Sequence, residues 1–287
     1  MTAQFHIVTD SAAYLPKKFL QTHPIDVIPM TVELEGKRYR EGVDINHVEF
    51  LRKLQRSKER PKIIAPSVRD WIRLYQKLVR TYPYILVLVH SSRLSEAYAH
   101  ARAAVNEVFG RARFWVVDTQ TIGFGQGVLV RHAMQAIEEG LEPPEVVRRV
   151  RAMIPHIYAQ ILMDRLDYLE AYGRVGPAQA LLGTMLNIKP ILTMEDGELI
   201  PVEKVLKWEQ GVDKLFDFVV EFLNIEELAV IQYGMDDLTA ALLERLETTF
   251  EGKEFPILPY SPTLAAHIGP KALGVMVYEG LEAYKVI

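Results

Sequence analysis

The sequence predicts an α/β protein in two parts: an N-terminal Rossmann-like domain with a parallel sheet, and a C-terminal α+β domain with a mixed or antiparallel sheet. In the first half, short apolar runs alternate with helix-like segments, as parallel strands joined by crossover helices require. In the second half, the turn signal Glu195-Asp196-Gly197-Glu198 separates two apolar runs and indicates a hairpin. The domain boundary is predicted near Pro155, which gives domains of residues 1–155 and 156–287.

The elements of the first half follow from hydrophobic patterning. Tyr84–Val89 is apolar throughout, which is typical of a strand buried on both faces of a parallel sheet. Ile25–Leu34 predicts a further strand, with Pro29 at an edge or a bend because proline cannot donate to a strand ladder. The other predictions are strands at Phe5–Val8 and Phe114–Val117 and helices at Trp71–Arg80, Leu94–Phe109, Gly127–Glu139 and Glu145–Met153.

The second half mixes strands with fewer helices. Its predicted strands are Tyr158–Met163, Ile188–Met194, Leu199–Val205, Leu228–Gln232, Ile257–Tyr260 and Ala272–Val277. Its predicted helices are Ala178–Leu186, Gly211–Leu223 and Asp236–Thr249. A hairpin next to helices favours an α+β domain with a partly antiparallel sheet.

Composition excludes several classes of function. The chain has 287 residues, of which 49% are hydrophobic and 24% charged, and its net charge of −4 gives no bias toward nucleic acid or an anionic membrane. It has no cysteine, so disulfides, thiolate-bound zinc and cysteine nucleophiles are excluded. Neither a signal-like start nor a membrane-length apolar run is present, so we expect a cytoplasmic protein without stable membrane insertion. No metal-ligand spacing or nucleotide motif appears, and we predict neither a metal nor a cofactor.

Small polar residues follow three of the predicted strands, at the edge where open α/β sheets bind ligands. These residues are Thr9-Asp10-Ser11, His90-Ser91-Ser92 and Asp118-Thr119-Gln120-Thr121. The chain has only seven serines, and four of them, including Ser95, fall at two of these strand ends. Helix capping explains the same residue types, and the two interpretations are compatible because a capped helix N-terminus also binds anions. A carboxylate or phosphate site is therefore predicted here.

Two loops of the second half also carry candidate residues. His267-Ile268-Gly269-Pro270 forms a shaped loop before the last strand, and we consider a ligand contact by His267 as plausible as a surface role. Arg174 lies in a break between two helical stretches and is a candidate for a partner or anion contact. Ordinary helix termination at Gly173 or Gly176 explains the same break.

Six segments together carry a family resemblance. They are VTDSAAYLP (8–16), IPMTVELEGKRYREGVDI (28–45), SSRLSEAY (91–98), MDRLDYLEAYGRVGPAQALLGTMLNIKPIL (163–192), EDGELIPVEKV (195–205) and HIGPKALGV (267–275). With these segments the chain resembles the DegV family of bacterial fatty-acid-binding proteins almost from end to end.

The resemblance implies a non-catalytic carrier that encloses one long-chain fatty acid between its two domains. It implies that a separate fatty-acid kinase is the partner, and that this kinase phosphorylates the bound carboxylate to an acyl phosphate for phospholipid synthesis. Ser95 matches the serine of the family's LSGT-like motif, and His267 matches the histidine before the Gly-Pro loop. Arg174 matches the arginine associated with kinase docking.

Four positions depart from the family pattern. Ile63 stands where the family has the threonine of a TSQP-like motif, and Glu96 and Lys271 alter the LSGT-like motif and the Gly-Pro loop. Leu206 stands in place of a second docking arginine. A sixteen-carbon tail contributes about 12 kcal/mol gross on burial, against about 1.5–3 kcal/mol for one hydrogen bond to a charged group. We therefore expect Ile63 to weaken binding without abolishing it.

The candidate ligand residues divide into a head-group set and a tail set. The residues predicted to lie around the carboxylate are Ser95, His267, Ile63, Asp10, Ser11 and Ser92. The residues predicted to line the tail are Ile28, Met30, Ile64, Ile161, Leu186, Ile188 and Ile191. For any single tail residue, ordinary core packing is the more favoured explanation.

Two alternatives stay open. One is an enzyme on the same scaffold that acts on a small phosphorylated or hydroxylated metabolite through Asp10, Ser95 and His267. The other is a regulatory or interaction domain whose pocket is filled by side chains. A short polar cleft favours the enzyme, a long apolar channel favours the carrier, and a solid interior favours the regulatory domain.

Overall fold

The computed structural model describes residues 5–165, 167–170 and 188–281. The strands of the first half are β1 Phe5–Asp10, β2 Ile25–Ile28, β3 Thr31–Leu34, β4 Lys37–Arg40, β5 Lys62–Ile64, β6 Tyr84–Val89 and β7 Arg113–Asp118. Its helices are α1 Lys17–Thr22, α2 His47–Arg56, α3 Val68–Leu78, α4 Ala97–Val105, α5 Phe124–Glu138 and α6 Pro143–Met153.

The second half follows a short 3₁₀ helix, Ile154–His156. Its strands are β8 Ile157–Met163, β9 Lys189–Glu195, β10 Glu198–Val205, β11 Glu227–Tyr233, β12 Ile257–Leu258 and β13 Ala272–Tyr278. Its helices are α7 Asp167–Glu170, α8 Trp208–Val220, α9 Asp236–Thr249 and α10 Pro262–Ile268. The predicted helix Ala178–Leu186 lies outside the described residues.

The first half is built on a parallel sheet in the order β2-β1-β6-β7, which confirms the predicted α/β class. Helix α4 packs against β6 and β7, and α5 packs against β1 and β6. Because helices cover the sheet, the side chains Ile85–Val89 of β6 are fully buried. An apolar run without alternation is the pattern that such a strand requires.

The second half is built on a six-stranded mixed sheet in the order β10-β9-β8-β13-β11-β12, as predicted. All its pairs are antiparallel except β11 with β12. The β9–β10 hairpin turns at Asp196 and Gly197, whose φ angles are 47° and 81°. Positive φ at both central residues matches the twist of the flanking strands, which is why the sequence signal at this turn succeeds.

The predicted strand Ile25–Leu34 is in fact two strands in different sheets. β2 joins the parallel sheet, whereas β3 pairs with β4 and β5 in a three-stranded antiparallel sheet. Pro29 lies at the break between them. Proline lacks the amide that a continuous ladder needs, so the chain leaves one sheet here and enters the next.

Helix α5 connects the two halves, because it packs against β1 and β6 on one side and against β13 on the other. Most of its side chains are buried for this reason. A Cβ atom on Gly127 would lie 2.0 Å from the carbonyl oxygen of Tyr14, so only glycine permits this close approach. The glycines of Gly123-Phe124-Gly125-Gln126-Gly127 thus serve helix entry and packing.

Candidate functional site

Three polar residues meet at the carboxyl ends of β1 and β6. Oγ of Ser95 lies 2.7 Å from Nε2 of His90, and Nδ1 of His90 lies 3.0 Å from Oδ2 of Asp10. Asp10 and His90 are fully buried, whereas Ser95 is half-buried. Because β1 and β6 are parallel neighbours, their ends place Asp10 beside His90. We call these three residues the Ser95 relay.

The carboxylate of Asp10 is held from several sides. Its Oδ2 accepts hydrogen bonds from the amide of His90 at 2.8 Å and from Nε2 of Gln126 at 3.1 Å, and its Oδ1 accepts one from the amide of Ala12 at 2.9 Å. Burial by itself raises the pKa of Asp10, but the charge and hydrogen bonds of His90 outweigh it and hold this pKa below its ordinary value. Asp10 is therefore an ionised carboxylate at neutral pH.

A second buried group of polar residues joins the two halves of the chain. The hydroxyl of Thr263 donates a 2.6 Å hydrogen bond to Oε2 of Glu41, and the amide of Met30 donates one of 2.8 Å to Oγ of Ser11. Burial raises the pKa of Glu41 to about 8 and the charge of Asp10 adds to this, while the hydroxyls of Thr263 and Ser11 oppose it. Glu41 is thus mainly protonated at neutral pH. We call Ser11, Glu41 and Thr263 the Glu41 cluster.

His267 lies one helical turn after Thr263 on α10 and is fully buried. Residues four apart share a helix face, so His267 lies on the side of α10 that carries the Glu41 contact. The same helix packs against β5, where Ile63 is half-buried. Gly269 ends the helix with φ 79°, and a Cβ there would lie 2.8 Å from the ring of Tyr168. The loop after His267 therefore requires glycine.

The structure connects most of the predicted head-group residues and separates one. Asp10, Ser11 and Ser95 lie at adjoining strand ends, and the Glu41 cluster links this edge to the helix of His267. Ser92 is the exception: it is exposed, and its amide donates to Oδ1 of Asp118 at 3.1 Å. Ser92 is thus set apart from the buried residues of this region, and its predicted contact with the carboxylate stays a prediction. Arg174 lies outside the described residues.

The predicted tail residues do not share one surface. Ile161 pairs with Leu192 and joins the core common to both halves, whereas Ile191 pairs with Leu162 on the opposite face of the sheet, under α8 and α9. Ile191 therefore lies on the face of the sheet that points away from the core shared by the two halves, and its assignment to the tail stays a prediction.

The other tail residues lie in the first half of the chain or beside the residues that the structure does not describe. Ile28 and Met30 are buried in the core beneath α3 and α4, and Ile63 packs against this core. Ile64 and Ile188 are half-buried. Leu186 lies outside the described residues, so the elongated tunnel stays a prediction.

A narrow cavity lies at the junction of the two halves, with room for about one water molecule. It is lined from both halves, mainly by apolar side chains, including Ala12, Phe124, Ile231, Leu264 and Met276. The Glu41 cluster adjoins it through His47 and Ser261, since His47 lies 3.6 Å from Glu41 and Ser261 caps α10. The junction is thus apolar with buried polar groups beside it.

The halves also meet through the hairpin of the second sheet. Oγ of Ser91 donates a 2.6 Å hydrogen bond to the carbonyl of Gly197 at the hairpin tip. A Cβ on Gly197 would lie 2.3 Å from Oγ of Ser91 and 3.2 Å from Cα of Gln120. This contact fixes the hairpin against the strand-end loops that carry the Ser95 relay.

Sequence reasoning missed Glu41, Thr263 and Gln126 in this region, and it placed His90 among the polar strand-end residues without assigning it a contact. His90 was detectable, because it directly follows an apolar strand and opens the serine-rich loop. The other three carry no local signal, since their partners are distant in the chain.

The described ranges contain no group of three or more His, Cys, Asp or Glu side chains that could hold a metal ion. No helix within those ranges is long and apolar enough to cross a membrane.

Comparison with known proteins gives a consistent result. The model of the DegV family, described as uncharacterised, matches residues 4–280. A DegV domain-containing protein of Caldanaerobacter subterraneus is 31% identical over 277 residues, which cover 95% of this chain and 98% of the relative. Protein DegV of Bacillus subtilis is 26% identical over 273 residues, which cover 94% of this chain and 97% of the relative.

Solved structures agree with this grouping. The fatty acid binding DegV family protein of Streptococcus agalactiae superposes with a TM-score of 0.88 at 25% identity, covering 97% of this chain and 99% of that one. A DegV family protein of Thermus thermophilus, described by its fatty acid binding, superposes with a TM-score of 0.83 at 28% identity, covering 96% and 100%. From the match over nearly its whole length and the shared architecture, the chain belongs to the DegV family.

Proposed function

We propose that this protein is a non-catalytic carrier that binds one long-chain fatty acid between its two halves and presents the carboxylate to a separate fatty-acid kinase. The observation that carries the proposal is the buried polar line at the junction, from Ser95 through Asp10 to Glu41 and the helix of His267. The fatty acid binding described for relatives of the same architecture supports the choice of ligand.

The head group needs partners because a buried carboxylate without hydrogen bonds is costly. Ser95 is half-buried and supplies a hydroxyl, and His267 supplies a ring N–H. Glu41, when protonated, adds a donor: its Oε1 is buried and makes no hydrogen bond within the described part of the chain. Ile63 supplies none, so the threonine contact implied by the family is replaced by apolar surface.

The tail supplies most of the affinity. Burial of about fifteen carbons contributes roughly 12 kcal/mol gross, much of it offset by the freedom lost on binding. We assign the tail to Ile28, Met30, Ile64, Ile161, Leu186, Ile188 and Ile191. The polar line then sets the orientation of the ligand.

The kinase step needs an exposed surface near the carboxylate. We assign docking to Arg174 by its match to the family arginine. Leu206, in place of a second arginine, is 64% exposed and offers an apolar contact instead. We propose further that the acyl phosphate formed on the carrier enters phospholipid synthesis, and that the protein acts in the cytoplasm.

The test is to identify what the protein carries. Native mass spectrometry of gently purified protein should show the added mass of one long-chain acid, and delipidated protein should take up labelled palmitate or oleate at one per chain. Only apo protein, with no uptake of either acid, would overturn the proposal. A water-filled polar cleft with an affinity for small metabolites would instead support an enzyme.

A further inference from the structure

Strand β7 is an edge strand of the parallel sheet, and its outer side is unpaired within the described part of the chain. Among the described strands it pairs only with β6. The amides of Arg113 and Thr119 donate to carbonyl groups on the β6 side, at 2.8 Å and 3.0 Å. Because backbone groups alternate in direction along a strand, the amide and carbonyl groups of Phe114 and Val116 point away from β6. These groups are a template for one more strand.

An open cleft of about 680 Å³ lies beside this edge. It is lined by residues 114–116 of β7, by one side of α4 and by Arg151 at the end of α6. On α4 two of the lining residues, Ala99 and Ala103, are alanines four positions apart, and such small side chains leave the outer backbone of β7 accessible. We call this opening the β7 cleft.

Three exposed arginines surround the β7 cleft. Arg102 on α4 and Arg151 on α6 line it directly. Arg113 is the first residue of β7, and its guanidinium lies 4.8 Å from the centre of the Trp115 ring. Within the described ranges none of these three arginines forms an ion pair with a carboxylate. The cleft therefore carries positive charge that the described part of the chain does not neutralise.

The arginines belong to both faces of the sheet. On one face, Phe114 and Val116 pack in the core beneath α4, the helix of Arg102. On the other face, Trp115 packs against the core that includes α5 and α6, the helix of Arg151. A strand added beside β7 would direct its side chains to the two faces in alternation. Acidic side chains on either face would then meet a guanidinium group.

We propose that the β7 cleft binds an acidic, extended segment of a partner protein, which adds to the parallel sheet as a fifth strand. Backbone hydrogen bonds to Phe114 and Val116 hold the segment, and its carboxylates pair with the arginines. A second copy of this chain fits less well, because pairing of two β7 edges would bring two sets of arginines together. The lining residues belong to neither the head-group set nor the tail set, so the inference does not depend on the proposed fatty-acid site.

The probe is a fluorescent peptide of alternating glutamate and valine with both ends blocked. Its anisotropy should show saturable binding to the full chain that weakens as salt is added, and a lysine–valine peptide should not bind. Arg102→Glu and Arg151→Glu should each weaken binding at least about fivefold. Arg52→Glu, at an exposed arginine of α2 outside the cleft, is the matched control and should bind the peptide as the wild type does. Palmitate binding should be the same in all three variants, which also shows that they are folded.

Hydrogen exchange tests whether the peptide binds as a strand. It should slow exchange at the amides of Phe114 and Val116, whereas the same peptide fully N-methylated should neither bind nor protect them.

Three results would overturn the proposal. One is the absence of saturable binding, which would mean that the arginines only keep other strands off the edge. Another is equal binding of the lysine–valine or N-methylated peptide, or unchanged binding by both cleft variants. The third is a dimer of the free chain with protected amides at Phe114 and Val116, because the cleft would then hold a second copy.

Discussion

The hydroxyl of Thr263 donates a 2.6 Å hydrogen bond to Oε2 of Glu41, although the two residues lie 222 positions apart in the chain. Both are fully buried, and the bond joins α10 of the second half to the loop after β4 of the first. The contact makes the junction of the halves sensitive to the protonation of one carboxyl group.

The effect of Glu41 on the pH dependence of stability has a defined sign. The pKa of Glu41 is about 8 in the folded protein, against 4.5 for an ordinary glutamate. Between these values the folded chain holds a proton that the unfolded chain has lost, so this group's stabilisation falls as pH rises, by up to about 1.4 kcal/mol per pH unit. His47, whose pKa is lowered by burial, acts in the opposite direction below its ordinary value of 6.5.

Glu41→Gln should therefore remove this contribution to the pH dependence of the free energy of unfolding. We expect the wild-type-minus-variant free energy of unfolding to fall between pH 4.5 and 8 and to level off outside this window, because glutamine does not titrate. Urea unfolding at half-unit pH steps measures it. Glu247→Gln, at an exposed residue of α9, is the control. A flat difference would show that Glu41 is ionised in the folded state.

Ser95→Ala should weaken fatty acid binding by about 10- to 100-fold, because one hydrogen bond to a charged head group contributes about 1.5–3 kcal/mol. Displacement of a fluorescent fatty acid measures this on delipidated protein. Binding should persist, since the tail supplies most of the free energy. An unchanged dissociation constant would place the head group away from Ser95.

Ile63→Thr should tighten binding by up to about tenfold, because it adds a hydroxyl at the position where the family pattern has one. Ile63→Val is the matched control: it has nearly the shape of threonine but no hydroxyl. The same displacement assay compares the two. Equal affinities of the threonine and valine variants would mean that β5 does not face the carboxylate.

Gly197→Ala should destabilise the protein by about 1–3 kcal/mol more than Gly252→Ala. Both glycines have positive φ, but a Cβ on Gly252 meets nothing within 4 Å, whereas one on Gly197 meets Ser91. The difference therefore isolates crowding at the hairpin tip, and urea denaturation gives both values. In a Ser91→Ala background the extra cost should shrink. Equal costs in the two variants would mean that the hairpin does not dock there.

Arg174→Ala should leave palmitate affinity unchanged and lower phosphorylation of the bound acid by a cognate fatty-acid kinase. Docking of the kinase is expected to depend on this side chain, whereas binding of the fatty-acid tail is not. Arg148→Ala, on the exposed face of α6, is the control and should change neither. Parallel loss of binding and phosphorylation would make Arg174 a structural residue.

Short sequence patterns were sufficient to predict features that depend on a single strand or turn. The run Tyr84–Val89 forms a strand with the predicted bounds, and the hairpin turns where Asp196 and Gly197 indicated. Pro29 marked a bend, but whether the chain continued in the same sheet depended on which strands were available to pair. Proline forbids a ladder hydrogen bond without choosing the next partner.

The register between neighbouring strands could not be predicted from the sequence. Ile161 and Ile191 both fit an apolar tail site as isolated residues, yet pairing places them on opposite faces of one sheet. A shift of register by one residue exchanges the faces of a strand, and hydrophobic alternation within a strand does not fix its offset to a neighbour.

From the sequence alone came the fold class, the two halves, the family and the placing of serines at strand ends, because these depend on short-range patterns and motifs. Only the tertiary structure decided that His90 faces Ser95, that Glu41 meets Thr263 and that Ser92 is exposed. Each of these depends on how distant segments pack, and burial then changes the protonation of the groups that meet.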